Sequence, residues 1–580
     1  MSKVLYKHGG EIIANILQSH NVKWIFTLCG GHISPILTGC NELGIKVVDV
    51  RNESTAVFAA DGLFRLNGNI GIAAVTAGPG LTNTITAIKN AQLAQTSILI
   101  IGGATATVLK NRGSLQDIDH MSVVDSITKY ANTITRLRDI RPIMEEAISM
   151  ALNGVPGPVY LELPVDVLYP EAIVRDWYGL KSKSKSLPLW MSYYLKWNVN
   201  RIFKNKDKPY KRKNYLESKQ NYDAHILYLN DIISKSKKPV IIIGSQACSR
   251  LFDNKLFLNG LKKINIPIYV SGMARGLLSD KSLPIYRYER KKVLKESDLV
   301  ILAGVPCDFR LDYGRAINNK AKIISINLSR ADLYLNRKPH RGILLHPGKV
   351  LIKLSTSIVK SNIEKWKNWH KKIKDMNKKK LESIQNLSKK NVNFVNPIKL
   401  FLEINQHINQ GDIIIADGGD FVSTASYILQ PRRFNGWLDP GVFGTLGVGA
   451  GFILSSQLVV KDSVVWAIFG DGSFGYSLIE FDTFVRHKIP VLAIIGNDAS
   501  WSQIARDQLK ILKNPISTKL SYTNYHEAVE GLGGKGFLVD HHDQINDTIV
   551  EAKEFVKRGV PTVINVKIGK TDFREGSISI

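Results

Sequence analysis

The chain has 580 residues, 44% hydrophobic and 22% charged, an ordinary globular balance that excludes wholesale disorder and leaves room for about three or four domains. Its four cysteines, Cys29, Cys40, Cys248 and Cys307, contain no Cys-x-x-Cys pair, which excludes a disulfide scaffold and a multi-cysteine metal domain and suits a reducing compartment. The net charge of +28 points, taken alone, to nucleic acid or an anionic surface.

Residues 1–22 carry the amphipathic period of a helix, with an apolar stretch too short and too interrupted for a signal peptide. Short apolar runs follow at 24–28, 46–50, 70–76, 97–103 and 158–164, with helical patterns at 53–66 and 81–94 between them. Strands alternating with helices predict a parallel sheet covered on both faces over residues 1–175. Residues 176–224 read as a basic linker: Lys181 to Lys219 holds 12 Lys and Arg against two acidic residues. Inside it, LPLWMSYYLKWNVNRIFK (187–204) interleaves aromatic residues with Lys and Arg. That pattern suits a helix lying on a membrane surface or one packed on the protein body.

A second block, 225–352, repeats the strand style at 239–244, 267–272, 298–304 and 322–328. Residues 353–394 read as a second basic linker, an exposed helix, with 12 Lys against three acidic residues from Lys353 to Lys390. The third block, 395–580, has runs at 412–419, 464–472, 490–498 and 561–569. The fold class is therefore α/β, three doubly wound parallel-sheet domains joined by basic linkers. Most of the excess charge sits in those linkers without a nucleic-acid-binding motif, so no nucleic-acid partner is expected. No run of 18 apolar residues exists, so no transmembrane helix is expected.

Ligands of such sheets bind at the carboxyl ends of strands. Gly470-Asp471-Gly472 follows the run VVWAIF, and the next run ends in Gly496-Asn497-Asp498. About one helix and one strand separate them, so adjacent strand ends present Asp471 and Asp498 to one point. Their oxygens suit Mg²⁺, and glycines admit a diphosphate close to the backbone. Gly470-x-Gly472-x-x-Gly475 also matches a dinucleotide fingerprint, but Glu480 and Asp482 come too early and Asp498 somewhat late for its ribose-binding acid.

Gly-Asp-Gly followed by Asn-Asp resembles the diphosphate motif of thiamine diphosphate enzymes, with Asp498 where a second Asn is usual. The resemblance implies that Asp471, Asp498 and the Ser500 backbone carbonyl hold Mg²⁺. It implies that Gly470, Gly472 and Ser473 lie on the diphosphate and that Trp501, with TDFREGSI (571–578), covers the site. Arg51-Asn52-Glu53, followed by Ala56 and Ala60, is similar to the family's activating segment, with Glu53 as the carboxyl that drives the pyrimidine tautomer. Alone, an acid opening a helix is ordinary dipole complementarity. Thr76-Ala77-Gly78-Pro79-Gly80 and Asn83 resemble the turn against the cofactor. Gly444-Thr445-Leu446 resembles the wedge loop, whose bulky apolar residue bends the cofactor. Gln116 stands where the family has an active-site glutamine. His32 is a candidate for the substrate hydroxyl proton and equally a satisfied structural histidine.

Stretches such as FTLCGGHISPIL (26–37), GMARGLL (272–278) and GNDASWSQI (496–504) resemble the acetolactate-synthase-like branch that acts on 2-hydroxyacyl-CoA. The resemblance implies a carbon–carbon lyase producing formyl-CoA and a fatty aldehyde, with an acyl-CoA substrate and no FAD. It implies a homodimer or homotetramer, since the Glu and the diphosphate half come from different subunits. It also implies association with the endoplasmic reticulum, with 187–204 as a peripheral membrane contact, or a cytoplasmic place, because no anchor segment is visible. The alternatives are acetolactate synthase chemistry with FAD, and a non-catalytic basic scaffold on the same fold.

Overall fold

The computed structural model describes residues 7–181, 188–204, 221–251, 253–358 and 362–574. The tracts KSKSKS (181–186), except its first lysine, and NKDKPYKRKN (205–214) lie outside the described residues, as does the end of TDFREGSI. The chain divides into two compact units, one of residues 1–217 with 441–455, the other of residues 218–440 with 456–580. The wedge loop, expected inside the third block, thus packs with the first unit: Phe452 meets Phe58 edge to face at 6.4 Å, and Gly451 comes so close to Phe58 that a Cβ there would lie 2.4 Å from it.

The first unit is built on six parallel strands, β1 Trp24–Thr27, β2 Lys46–Asp49, β3 Gly71–Val75, β4 Ile98–Ala104, β5 Tyr130–Thr133 and β6 Val159–Pro164. Their order is β2-β1-β3-β4-β6-β5. The central strands β3, β4 and β6 are buried along their whole length, as unbroken apolar runs in a parallel sheet require. The helix Gly9–Ser19 packs its Ile12, Ile13, Ile16 and Leu17 into one core with Leu99, Ile101 and Leu161.

The helix Leu189–Phe203 divides along its length. Val199, Ile202 and Phe203 join the core of the first unit. Leu189, Trp190, Tyr193 and Trp197 are 59–79% exposed. The helix is therefore packed on the protein body along one part of its surface and exposes aromatic side chains along the other.

The second unit holds two sheets. One comprises β7 Pro239–Ile243, β8 Ile268–Val270, β9 Leu299–Ala303, β10 Lys322–Ile326 and β11 Arg341–Ile343, in the order β11-β10-β9-β7-β8. The other comprises β12 Ile413–Asp417, β13 Trp437–Leu438, β14 Val465–Gly470, β15 Leu492–Asn497, β16 Lys535–Val539 and β17 Thr562–Lys567, in the order β13-β12-β14-β15-β17-β16. All the pairings are parallel, and Gly470 stands opposite Gly496 across β14 and β15.

The basic helix Lys367–Ser388 differs from the exposed linker expected. Its lysines face water, but Trp369 and Ile373 are buried in a core with Val240, Ile242 and Val300. The indoles of Trp366 and Trp369 donate to the Ser236 and Pro239 carbonyls at 3.2 and 3.1 Å. A stripe of three or four apolar residues suffices to dock a helix whose composition is dominated by lysine. No helix among the described residues is long and apolar enough to cross a membrane.

Candidate active site

In the first unit the predicted residues fall on three strand ends. Glu53 opens the helix Glu53–Asn67 just after β2, where the Asn52 side chain accepts from the Ser54 N–H at 2.9 Å and caps it. The Glu53 carboxyl is buried, 6% exposed, and accepts from Asn83 Nδ2 at 3.0 Å on Oε2. An acid at a helix start needs no burial for its dipole role; this one is withdrawn from water and oriented by a second predicted residue.

After β3, Thr76 Oγ1 lies 3.1 Å from His32 Nδ1. Burial first and His120 second hold the His32 pKa below its ordinary value, so the ring is neutral near pH 7. Gly78 has a φ of +59° and a Cβ there would sit 3.0 Å from Gln116, so only glycine lets the two segments meet. Pro79 follows as the first residue of a single turn, Pro79–Thr82. A Cβ on Gly80 would meet Thr76 Cγ2 at 2.7 Å. The structure thus brings together His32 with Thr76, Gly78 with Gln116, and Asn83 with Glu53.

One part of this cluster had no local sequence signal. The Gly78 N–H donates to His120 Nε2 at 2.8 Å, and His120 Nδ1 lies 2.7 Å from Glu162 Oε2. The acceptor role of Nε2 places the ring proton on Nδ1, aimed at the carboxylate. His120 and Glu162 are 2% and 1% exposed. Burial pushes the Glu162 pKa up, but His120, Lys110 and Thr133 more than offset this, so the carboxylate stays ionised. His120 and Glu162 are 42 residues apart, and only the adjacency of strand ends reveals them.

In the wedge loop, Gly444 (φ +67°) and Gly447 (φ +89°) bracket Thr445 and Leu446 in left-handed turns. Thr445 Oγ1 donates to the Leu446 carbonyl at 3.0 Å. Leu446 remains half-buried, a bulky apolar side chain not absorbed by a core.

In the second unit Asp471 begins the helix Asp471–Ser477 directly after β14, 3% exposed. Its Oδ1 accepts from Gly472 N–H at 2.8 Å and its Oδ2 from Ser500 N–H at 3.3 Å. Asp498 follows β15 and accepts from the Ser502 hydroxyl. Burial and then the neighbouring Asp498 push the Asp471 pKa up to about 7. Burial also raises that of Asp498, against Ser502 and Lys570. Two carboxylates held close together away from water repel each other, and a divalent cation removes that cost.

No group of three or more His, Cys, Asp or Glu that could hold a metal exists among the described residues. A site with two hard carboxylates suits Mg²⁺, which takes one or two protein acids and completes its shell with phosphate and water. The backbone around it is open where a diphosphate needs room. A Cβ on Gly470 would meet only Ser473 Oγ, at 3.8 Å. On the other side the Trp501 ring lies against Gly472, where a Cβ would come within 2.4 Å, so Trp501 covers the motif. Ser473 Oγ donates inward to the Asp417 carbonyl at 2.5 Å, leaving its backbone N–H as its donor to an anion.

Asn497, between Gly496 and Asp498, turns the other way, as alternation along a strand requires. It donates to the Thr523 carbonyl and Asn565 Oδ1 at 3.1 and 3.2 Å. Tyr525 Oη donates to the Asp471 carbonyl at 3.2 Å, and burial with both aspartates raises the Tyr522 pKa. Neither tyrosine was legible from the sequence. Beside Asp498, Ser500 and Ser502 opens a cavity of about 850 Å³, lined also by Phe421, Leu509 and Ile568 and by Arg506, Lys570 and Arg574.

Models of the thiamine pyrophosphate enzyme family match three stretches: the N-terminal TPP binding domain over residues 7–123, the central domain over 227–354 and the C-terminal TPP binding domain over 417–566. The chain is 43% identical to 2-hydroxyacyl-CoA lyase 2 of Danio rerio, covering 99% of this chain and 94% of that one. It is 42% identical to the Homo sapiens protein of the same name, covering 100% and 93%. A probable acetolactate synthase of Mycobacterium bovis is 27% identical over 96% and 95%. The solved thiamine diphosphate-dependent 4-hydroxybenzoylformate decarboxylase of Rhodococcus jostii RHA1 shares the fold, with a TM-score of 0.73 and 16% identity over 97% of this chain and 100% of that one.

Proposed function

The chain belongs to the 2-hydroxyacyl-CoA lyase 2 family of thiamine pyrophosphate enzymes, and from that premise we propose that it breaks the C1–C2 bond of 2-hydroxy fatty acyl-CoA. The products are formyl-CoA and an aldehyde one carbon shorter. The observation that carries this reading is kinship with those lyases along the whole chain and not in one domain only.

Thiamine diphosphate, when bound, supplies the nucleophilic carbon and the electron sink that such a cleavage requires. The chain's own residues bind, orient and move protons. Asp471 and Asp498, with the Ser500 carbonyl, hold Mg²⁺, and the Gly470–Gly472 backbone and Ser473 N–H receive the diphosphate. Leu446, half-buried between Gly444, Thr445 and Gly447, would supply the bulky apolar surface against which thiamine diphosphate is held. The turn of Thr76, Gly78, Pro79 and Gly80 would receive the pyrimidine side of the cofactor. Asn83 occupies Glu53 Oε2, which leaves Oε1 to hold the proton exchanged with that ring. Thr76 occupies His32 Nδ1, which leaves Nε2 for the substrate hydroxyl proton, while Gln116 orients the substrate oxygens. Trp501 limits water at the motif.

The protein acts as a homodimer or homotetramer, in which Glu53 of one copy serves the diphosphate half of another. The exposed aromatic face of the helix Leu189–Phe203, flanked by basic sequence, gives it a peripheral hold on an anionic membrane, and the endoplasmic reticulum surface is the proposed place.

The test is purified protein with Mg²⁺, thiamine diphosphate and 2-hydroxyacyl-CoA, assayed for formyl-CoA and aldehyde. The likeness to an acetolactate synthase supports a second reading, pyruvate decarboxylation and carboligation with FAD. Acetolactate from pyruvate, a flavin spectrum and no aldehyde would replace the first reading by the second.

A further inference from the structure

A second cavity of the second unit, about 410 Å³, shares no lining residue with the one beside Asp498. Six of its lining side chains are cationic and two acidic. Even with Asp308 and Asp439, which pair with its arginines from outside the lining, cations remain in excess. Arg275, Arg290 and Arg310 stand close enough to repel one another. Burial first, and these neighbours after it, push the pKa of Arg275 and Arg290 down.

Asp308 holds Nε and Nη2 of Arg310 at 2.6–3.1 Å, so Arg310 offers a ligand its Nη1 side, whereas protein partners take less of the other two guanidiniums. Arg290 Nη2 donates to the Arg310 carbonyl at 2.7 Å, one of five N–H donors. Arg275 lies over the Trp437 ring, with Asp439 at 3.9 Å, beyond hydrogen-bond range. Arg287 is different: its three bonds to the carbonyls of Ser426, Ile428 and Leu429 make it a clamp on a helix end.

Aromatic faces surround the cluster. Tyr269 and Tyr288 are buried, and Phe309 and Tyr427 are 57% and 41% exposed. An apolar ligand would leave the buried cations without an anion. Guanidinium forks match phosphate oxygens, and aromatic faces beside them accept a base.

Tyr427 joins this crevice to the proposed active site. Phe573 meets its ring edge to face at 5.8 Å, and the Arg574 guanidinium lies 5.5 Å from its centroid. Arg574 in turn lines the cavity beside Asp498, with Asp420 at 3.9 Å. The helix Asp420–Ile428 has its first residue on that cavity and Ser426 and Tyr427 on the crevice. The two lie about 10 Å apart along its axis, at ~1.5 Å per residue.

We propose that this crevice, around Arg275, Arg290 and Arg310, holds the 3′-phosphorylated ADP end of the acyl-CoA substrate, with the pantetheine arm passing Tyr427 and Arg574 toward Asp498. It rests on the lyase reading above, whose substrate is a nucleotide thioester. The acyl chain then lies along the Phe421, Leu509 and Ile568 side of the first cavity, away from the phosphates.

The experiment has two independent readouts on the full chain loaded with thiamine diphosphate and Mg²⁺. The first is calorimetric binding of adenosine 3′,5′-bisphosphate. The second is kinetics with 2-hydroxyacyl-CoA and with the same acyl group on pantetheine, which lacks the nucleotide. The variant R310A/K380A is expected to weaken bisphosphate binding and raise KM for the CoA substrate about tenfold with kcat retained, the signature of lost uniform binding. The pantetheine substrate serves as the reference and should change less than about twofold. Arg310→Lys, which keeps the charge but not the fork, should fall between. The bisphosphate should compete with acyl-CoA; non-competitive inhibition would mark a separate effector site and overturn the assignment. Equal losses with both substrates would mean a structural defect and overturn it as well. Turnover without any bisphosphate binding sinks the crevice and spares the lyase reading. Bisphosphate binding that the variant abolishes, with no turnover of any acyl-CoA, sinks the lyase reading and leaves the phosphate site standing.

Discussion

In the first sheet the strands run β2-β1-β3-β4-β6-β5, and in the third β13-β12-β14-β15-β17-β16; counted from the first strand of each block, the two orders are the same. The residues at equivalent strand ends are not. The second strand of the first sheet is followed by Glu53, buried and bonded to the neutral Asn83 side chain. The second strand of the third sheet is followed by Asp439, tied to the Trp437 indole at 2.8 Å. The third strand of the first sheet leads into a turn of Thr, Gly and Pro, whereas that of the third leads into Asp471, with Asp498 one strand over. One topology thus serves both sheets, and in the proposed function the residue after each strand decides whether that edge handles a proton or a cation. The middle sheet, read from β8, starts in the same order, β8-β7-β9-β10, and ends on the single strand β11 where the outer sheets have two; it presents Gly244 and Gly304 at its strand ends and keeps its charge in arginines.

The largest expected effect separates the two edges. Glu53→Gln keeps the Asn83 contact but cannot exchange a proton, so kcat should fall by about 10²–10⁴. Cofactor and Mg²⁺ binding, followed by fluorescence titration, should stay within about threefold of wild type. A loss of binding matching the loss of rate would mean that Glu53 only supports structure. The complementary change is Asp471→Asn, which should weaken Mg²⁺ by more than the ~10–100-fold typical of outer-shell losses while leaving thermal stability near wild type. Asp498→Asn should cost far less, because it restores the Asn that is usual at this position of the diphosphate motif. Equal losses at both positions would break the assignment of two unequal ligands. Chelation should abolish activity, and Mg²⁺ should restore it.

A smaller effect tests whether the first edge is prebuilt. His120→Leu removes the bridge between Gly78 and Glu162 and leaves a buried carboxylate served only by Thr133 and Lys110. It should cost about 3 kcal/mol, near the lower end for breaking a buried pair, seen as a lower midpoint in urea with an unchanged slope. No shift in the midpoint would show that the His120–Glu162 pair is not needed to hold the Gly78 turn.

How much of this was legible follows from where the signals lie. The central strands declared themselves because strands buried on both faces are unbroken apolar runs, such as Pro239–Ile243 or Leu492–Asn497. The short strands β5, β11, β13 and β16 did not, because they stand at or next to sheet edges and carry mixed burial or only two or three residues. Asp471 and Asp498 were legible because turns at strand ends put glycine and acid at fixed spacing, whereas Glu53, with no glycine beside it, stood out only through the resemblance of its segment. Tyr522, Tyr525 and the His120–Glu162 pair were not, since no local pattern encodes contacts made across tens of residues. The helix Lys367–Ser388 misled for another reason: its lysine count hides the Trp369 and Ile373 stripe that docks it.

The smallest effect lies in the middle domain and serves as a control, far in sequence from either set of acids. His346 caps the helix Pro347–Ser357: its Nε2–H donates to the Ser249 carbonyl at 2.9 Å, and Nδ1 accepts from the Lys349 N–H at 3.4 Å. Protonation would put a second hydrogen on the nitrogen that must accept. Burial accordingly lowers its pKa from 6.5 to about 4. The unfolded chain therefore binds a proton that the folded chain refuses. The stability associated with the neutral ring is complete above about pH 6.5 and declines as pH falls toward 4. The full loss is at most about 3 kcal/mol. His346→Gln should flatten that decline between pH 6.5 and 4, at a cost of about 1 kcal/mol at neutral pH for the weakened cap. Urea midpoints across that range read it directly. If the acid decline persists in the variant, His346 is not its source, and His225 and His370, whose pKa values burial also lowers, are the next groups to replace.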